Sequence, residues 1–212
     1  MVTPLEKARR DPNSMKARIL DSARKLFGEN GYSGTTTRMI AKAVGIDIST
    51  LYYHWGEKAD LYDAVLMATQ EGLKQQLKNI EKVIHGKPLR ERLEIAINMS
   101  CDYLFQNPEI TNLILLNYFT NSQNGDTPDF NFIDIIAGIA ISMGLAMDKE
   151  KITKQAKARV MAVMLSLFNF VAGKEFLSPI IGAESEEYLS VVKETLNFIL
   201  IPAFIQGKNE TL

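Results

Sequence analysis

The sequence predicts an all-α protein, with an N-terminal three-helix unit containing a helix-turn-helix and then a larger helical body, about nine helices in total. Three observations predict it. Apolar residues recur at helical spacing along most of the chain, no stretch alternates as a half-buried strand would, and Gly or Pro clusters interrupt the pattern at helix-length intervals. At 212 residues with 46% hydrophobic content, the chain can hold a reader-sized unit over residues 1–57 and a body over residues 58–212.

The elements follow in order. Pro4 and Pro12 argue against helix before Asn13, and a first helix is expected from Asn13 to Asn30. A second ends at Gly45, where a residue of positive φ is needed, with Ile40, Ala41 and Val44 on its inner face and Ile46 plugging the core behind the turn. A third begins near Ile48 or Ser49, with Leu51 pointing inward. Lys58 to Ile84 and Leu89 to Gln106 come next, separated by His85-Gly86-Lys87-Pro88. Pro108, a good first helical residue, opens a helix to Ser122, and Gln123 to Asp129 is the most loop-like stretch. One helix then runs to Met147, followed by Lys149 to Lys174 and Ser185 to Gln206, divided by Ser178-Pro179 and Gly182.

The segment Thr35 to Lys58, TTTRMIAKAVGIDISTLYYHWGEK, carries more than helix-pair architecture requires. A purely structural pair has no need for three threonines before one helix and Ser49, Thr50, Tyr52, Tyr53 and His54 on the exposed side of the next. Such groups donate hydrogen bonds to phosphate oxygens, as do helix N-termini, and Lys58 follows where its charge and a helix start can act on one phosphate. Asp47 either caps its helix or accepts from a cytosine amino group, and Ile48 can pack on a thymine methyl. Trp55 belongs in the core, with an indole N–H that needs a partner.

Ala23 to Leu66 resembles the DNA-binding domain of the TetR family of bacterial one-component transcriptional regulators. The resemblance rests on Phe27-x-x-x-Gly31-Tyr32, the Thr-rich stretch, Ile40-Ala41 before Gly45, Thr50-Leu51-Tyr52-Tyr53-His54, and Lys58 with Leu61 three residues on. It implies that Thr37, which follows Thr36 in the threonine run read above as phosphate donors, caps the second helix and touches phosphate, that Arg38 reaches a base edge, and that Tyr52, His54 and Lys58 hold the backbone. It also implies that residues 47 to 50 and Tyr53 face the major groove. Ile48, Ser49 and Trp55 depart from the usual family residues, so the operator sequence is not readable from them.

Charge distribution agrees. Residues 1–60 carry ten Lys and Arg against seven Asp and Glu, residues 61–212 fourteen against eighteen, and the net charge is −1. The chain is therefore not a polycation that binds nucleic acid in bulk. Lys7, Arg9, Arg10, Lys16 and Arg18 either extend the phosphate footprint on a flexible arm or form a solvated terminus. No apolar leader is present and the uncharged apolar stretches fall short of a membrane span, so a cytoplasmic protein without membrane partner is expected. The single cysteine, Cys101, excludes an intrachain disulfide.

The last two helices are apolar over more than one face, which calls for cover on both sides. Pairing with a second copy through a four-helix interface provides it; burial of both faces within the monomer is the alternative. A homodimer would present two reader helices to a palindromic operator. In the body, Asn98, Cys101, Asp102, Asn117 and Tyr118 among Phe105, Leu113, Met164 and Phe168 describe apolar walls with a few polar groups. That is the make-up of a site for a small lipophilic effector, and equally of an ordinary helical core.

An enzyme is not expected. The chain has two histidines and one cysteine, with no HExxH, Walker or GxGxxG sequence, and no metal or cofactor is called for. The reading is a dimeric, ligand-responsive DNA-binding regulator, a repressor released from its operator by the effector. The alternative is a helical interaction or small-molecule-binding module whose helix-turn-helix does not bind DNA.

Overall fold

The computed structural model describes residues 3–124 and 132–206, which form eleven α-helices and one 3-10 turn, with no strand among them. The helices are α1 (Pro4–Arg10), α2 (Met15–Gly34), α3 (Thr37–Val44), α4 (Ile48–Trp55), α5 (Lys58–Ile84), α6 (Leu89–Gln106), α7 (Pro108–Asn124), α8 (Phe132–Ser142), α9 (Lys154–Ala172), α10 (Lys174–Ile181) and α11 (Ser185–Gln206). The all-α class is as the sequence predicts. The count exceeds nine because α1 and α10 form where prolines were read as breaks.

Pro4 occupies the start of α1, where a missing N–H costs nothing. Thr3 and Glu6 close a capping box around it: the Glu6 N–H donates to the Thr3 hydroxyl at 3.2 Å, and the Thr3 N–H donates to the Glu6 carboxylate at 2.8 Å. The N-terminal segment is thus a docked helix that buries Leu5 and Ala8, not a flexible arm. In α10, Pro179 falls in the last turn of an eight-residue helix, so it forfeits a single backbone bond before Gly182 ends the helix.

Two other boundaries differ. The helix expected to reach Met147 stops at Ser142, because Gly144 has a φ of 71° and closes a Schellman motif: Leu145 N–H donates to Ala140 at 2.9 Å and Gly144 N–H to Ile141 at 2.9 Å. The helix expected from Lys149 starts at Lys154, where Thr153 caps it, and Lys149–Lys151 is a 3-10 turn capped by Asp148. Of the expected loop, Gln123 and Asn124 continue α7, and residues 125–129 lie outside the described residues.

The chain divides into two compact units. Among the described residues, one comprises 3–72 with 112–124 and the other 73–111 with 132–206. In the first, α1 packs on α2 and α3 and α4 close against it around Ile19, Ala23, Phe27, Ile40, Ala41, Val44, Leu51 and Trp55, joined by Leu61 and Val65 of α5 and Leu113 of α7. Full burial of a side chain such as Leu51 stabilises by roughly 1.5–3 kcal/mol. Phe27, Tyr32 and Tyr62 add ring contacts with centroids 4.9–6.2 Å apart. In the second unit α6 lies along α11, and Leu93, Ile97, Cys101 and Leu104 are buried there, as are Tyr188, Val192 and Leu196.

Among the described residues, the helix over Ser185–Ile205 is long and apolar enough by composition to cross a membrane, and α9 with α10 would be so only if the 86° bend between them lay within one span; uncharged stretches alone do not reveal the first, because Lys193 and Glu194 interrupt the run. The buried residues of α11, Tyr188, Val192, Leu196, Ile201 and Phe204, recur at intervals of three to five positions, as on one face of a helix packed in a core.

Candidate nucleic-acid interface

Helices α3 and α4 are set by their ends. Thr36, not Thr37, is the N-cap of α3, its hydroxyl accepting from Met39 N–H at 3.2 Å. Capping needs the extended backbone conformation that Thr36 has, whereas Thr37 is already the first helical residue. Thr35 is fully buried, and its hydroxyl points inward to the carbonyls of Leu26 at 3.0 Å and Gly31 at 2.8 Å. Gly45, with a φ of 77°, closes α3, and Ile46 N–H reaches back to Ala41 at 3.0 Å. Asp47 stands at the N-cap position of α4 without a side-chain capping bond, which leaves its carboxylate exposed. Capping is therefore not the role its side chain plays here.

Helix α2 braces both C-termini. Arg18 donates to the Val44 carbonyl at the end of α3, at 2.9 Å, and Lys16 donates to the His54 carbonyl at the end of α4, at 2.6 Å. Each cation sits at the negative end of a helix dipole. The Trp55 indole N–H donates in return to the Lys16 carbonyl at 3.2 Å, which supplies the partner that a buried indole requires. Lys58 donates to the carbonyls of Tyr32 at 3.0 Å and Thr35 at 3.1 Å, with its ammonium 4.0 Å from the Tyr32 ring centroid.

Of the five N-terminal cations, Arg9 pairs with Glu71, and Lys16 and Arg18 serve as these helix braces, while Lys7 and Arg10 are exposed.

What faces outward is coherent. Arg38, Asp47, Ser49, Tyr52 and Tyr53 are exposed, Tyr53 by 84%, while Thr37, Ile48, Thr50, His54 and Lys58 are half-buried. An open depression of about 430 Å³ brings Arg38 together with Asp47, Ile48 and Ser49, and Lys42 lines it too. Sequence reasoning missed Lys42, although it follows Arg38 by four residues and so shares its helix face. Ile48 also packs against the core of the unit, so only part of its side chain is free for a base.

His54 contacts Tyr53 edge to face at 5.3 Å. Desolvation first, and then the neighbouring Lys16 charge, hold the His54 imidazole below its ordinary value, so it is neutral at physiological pH.

The residues proposed for an effector are divided between the two units. Asn98, Cys101, Asp102 and Phe105 share α6: Asp102 accepts from Lys193 at 2.5 Å, Asn98 accepts from Asn197 at 3.0 Å, and Phe105 lies 5.9 Å from the Tyr188 ring. Cys101 is fully buried and its thiol is pushed up to about 12 by desolvation. Phe168 is buried and Met164 half-buried on α9 of the same unit. Leu113, Asn117 and Tyr118 belong to the other unit, where Leu113 joins its core and Asn117 hydrogen-bonds Tyr62. Lys193 and Asn197, absent from the sequence reading, stand four apart on one face of α11.

Comparison with known proteins agrees with this geometry. Residues 19–65 match the family of bacterial regulatory proteins, tetR family. The chain is 49% identical over 49 residues to the biofilm operon icaADBC HTH-type negative transcriptional regulator IcaR of Staphylococcus aureus, a stretch covering 23% of this chain and 26% of that protein. It thus spans about a quarter of the length of the curated relatives it matches. The fold is similar to that of the fatty acid degradation regulator FadR from Bacillus halodurans, with a TM-score of 0.63 at 16% identity over 87% of this chain and 93% of that one. It is also similar to the TetR family transcriptional regulator PfmR from Thermus thermophilus, at 0.58 and 19% over 86% and 97%. The head of the chain is thus similar to the tetR family of bacterial regulatory proteins over residues 19–65, and the helical fold as a whole is similar to that of solved TetR-family regulators.

Proposed function

We propose that the chain is a homodimeric cytoplasmic transcriptional regulator, not an enzyme, that represses from a palindromic operator and is released by a small lipophilic effector. The division of labour follows the sequence: residues 1–57 read DNA and residues 58–212 dimerise and bind the effector. The observation that carries the reading is the open depression where Arg38 and Lys42 of α3 meet the exposed start of α4. Two cations, a helix N-terminus and the outward Tyr52 and Tyr53 supply phosphate contacts and base-edge contacts together.

Several observations support the partners. Phe176, Ile180, Phe198 and Ile199 of α10 and α11 are 56–81% exposed, an apolar face suited to a second copy. The α6 polar groups, with Asn197 Oδ1 buried and lacking a hydrogen-bond partner among the described residues, suit the polar end of an otherwise apolar ligand. The name of the relative IcaR, a negative regulator, supports repression. Helix α5 supplies residues to both compact units, which makes it the lever in a two-state switch.

Selection of binding sites from random DNA, followed by anisotropy titration, tests the proposal. An enriched palindrome is expected, with Arg38→Ala weakening binding to it about tenfold or more, in line with ~1–3 kcal/mol for a lost base contact. Absence of any enriched sequence would sink it.

A further inference from the structure

Lys16 stands 38 residues from His54 in sequence, yet its ammonium lies 2.6 Å from the His54 carbonyl and 3.3 Å from His54 Nδ1. An ammonium has three hydrogens to donate and no lone pair to accept with. Nδ1 must therefore present its lone pair to Lys16, and in the neutral ring the single proton then resides on Nε2, on the ring edge away from the lysine. We propose that Lys16 is a positioning residue that fixes His54 as the Nε2–H tautomer, so that the outward edge of the ring always offers a donor to a DNA phosphate.

The surroundings hold that arrangement in place. The Trp55 indole bond to the Lys16 carbonyl and the buried Trp55 ring fix the start of α2 against the end of α4, and Tyr53 packs edge to face on the imidazole. A ring free to exchange tautomers would present an acceptor part of the time, and an acceptor facing a phosphate oxygen repels it. A neutral Nε2–H donor contributes one hydrogen bond but releases no counterion, so His54 adds affinity without adding to the salt dependence of binding. That separates its role from those of Arg38 and Lys42.

The phosphate role of His54 rests on the function proposed above; the tautomer assignment does not. Long-range ¹⁵N–¹H correlation spectra of the ¹⁵N-histidine-labelled full chain, without DNA and at neutral pH, report the protonated nitrogen directly. The expected result is Nε2–H in the wild type, an increased Nδ1–H fraction in Lys16→Met, and the wild-type pattern restored in Lys16→Arg. Should Lys16→Met not fold, the wild-type spectrum alone decides: Nδ1–H, or a ring protonated on both nitrogens, overturns the proposal. On the selected operator, His54→Ala is expected to bind about fivefold more weakly, the worth of about one hydrogen bond, with an unchanged salt slope. Unchanged affinity in His54→Ala, with Nε2–H seen in the wild type, would overturn the phosphate contact while leaving the tautomer lock standing.

Discussion

At the scale of single residues, the head is held by cations that the sequence reads as DNA contacts, in the case of Lys58, or as either a phosphate-binding arm or a solvated terminus, in the case of Lys16 and Arg18. Lys16, Arg18 and Lys58 each donate to backbone carbonyls 23 to 38 residues away. One measurable consequence concerns pH. Because desolvation and Lys16 depress the native His54 imidazole, the unfolded chain binds a proton more readily than the folded one below the ordinary value of 6.5. Stability from this source is therefore complete above that value and is lost as pH falls towards the lower native one. The single tryptophan, Trp55, adjoins His54 and reports head unfolding. Its urea midpoint should fall between about pH 7.5 and about pH 5.5, and fall less in His54→Gln; equal falls in both proteins would assign the dependence to other groups. The exposed side chains of the site were legible because they sit within one helix pair. The bracing roles were not, since a lysine's partner across 38 residues leaves no local pattern to read.

Elements were legible where caps and periodicity agreed, as in α3, whose glycine stop and apolar face lie within ten residues. They were misread where one residue type was given a single meaning. Pro4 and Pro179 read as breaks in the sequence, yet proline is favoured at a helix start and tolerated in a short last turn. The capping pair Thr3 and Glu6 was the overlooked signal for α1. That helix is part of the head's core, because Leu5 is only 8% exposed and Ala8 3%, both clustered with Ile19 and Trp55. Leu5→Ala should cost about 2 kcal/mol, at the low end for a buried leucine because α1 lies at the edge of the cluster, and should make the N-terminal segment the first site of proteolysis. A variant with wild-type stability and cleavage would mean that α1 is an appendage. The ion pair of Arg9 with Glu71 ties the same helix to α5, but both side chains are substantially exposed, so it contributes little by comparison.

On the scale of the whole molecule, the proposed dimer and the proposed reader make one joint prediction. A head of about 50 residues with a few phosphate contacts binds weakly alone, and joining two heads raises the effective concentration of the second to the millimolar range. Operator affinity should therefore depend on an apolar face with no part in reading DNA. Phe198 is 81% exposed on α11, opposite in character to the buried Tyr188, Val192 and Leu196 of the same helix. Phe198→Glu places a charge on that face and leaves the packed side untouched, so helicity and the Trp55 signal should be unchanged. Sedimentation should then show a dimer for the wild type and a monomer for the variant, with operator affinity lower by about a hundredfold or more. The slope of log K against log salt should fall to about half, since each head carries its own share of phosphate contacts at about 0.9 per contact. A variant that keeps the wild-type mass, slope and affinity would show that something other than a second copy covers α11. A monomeric variant with full affinity would show that one head suffices, and the palindromic operator would have to be abandoned.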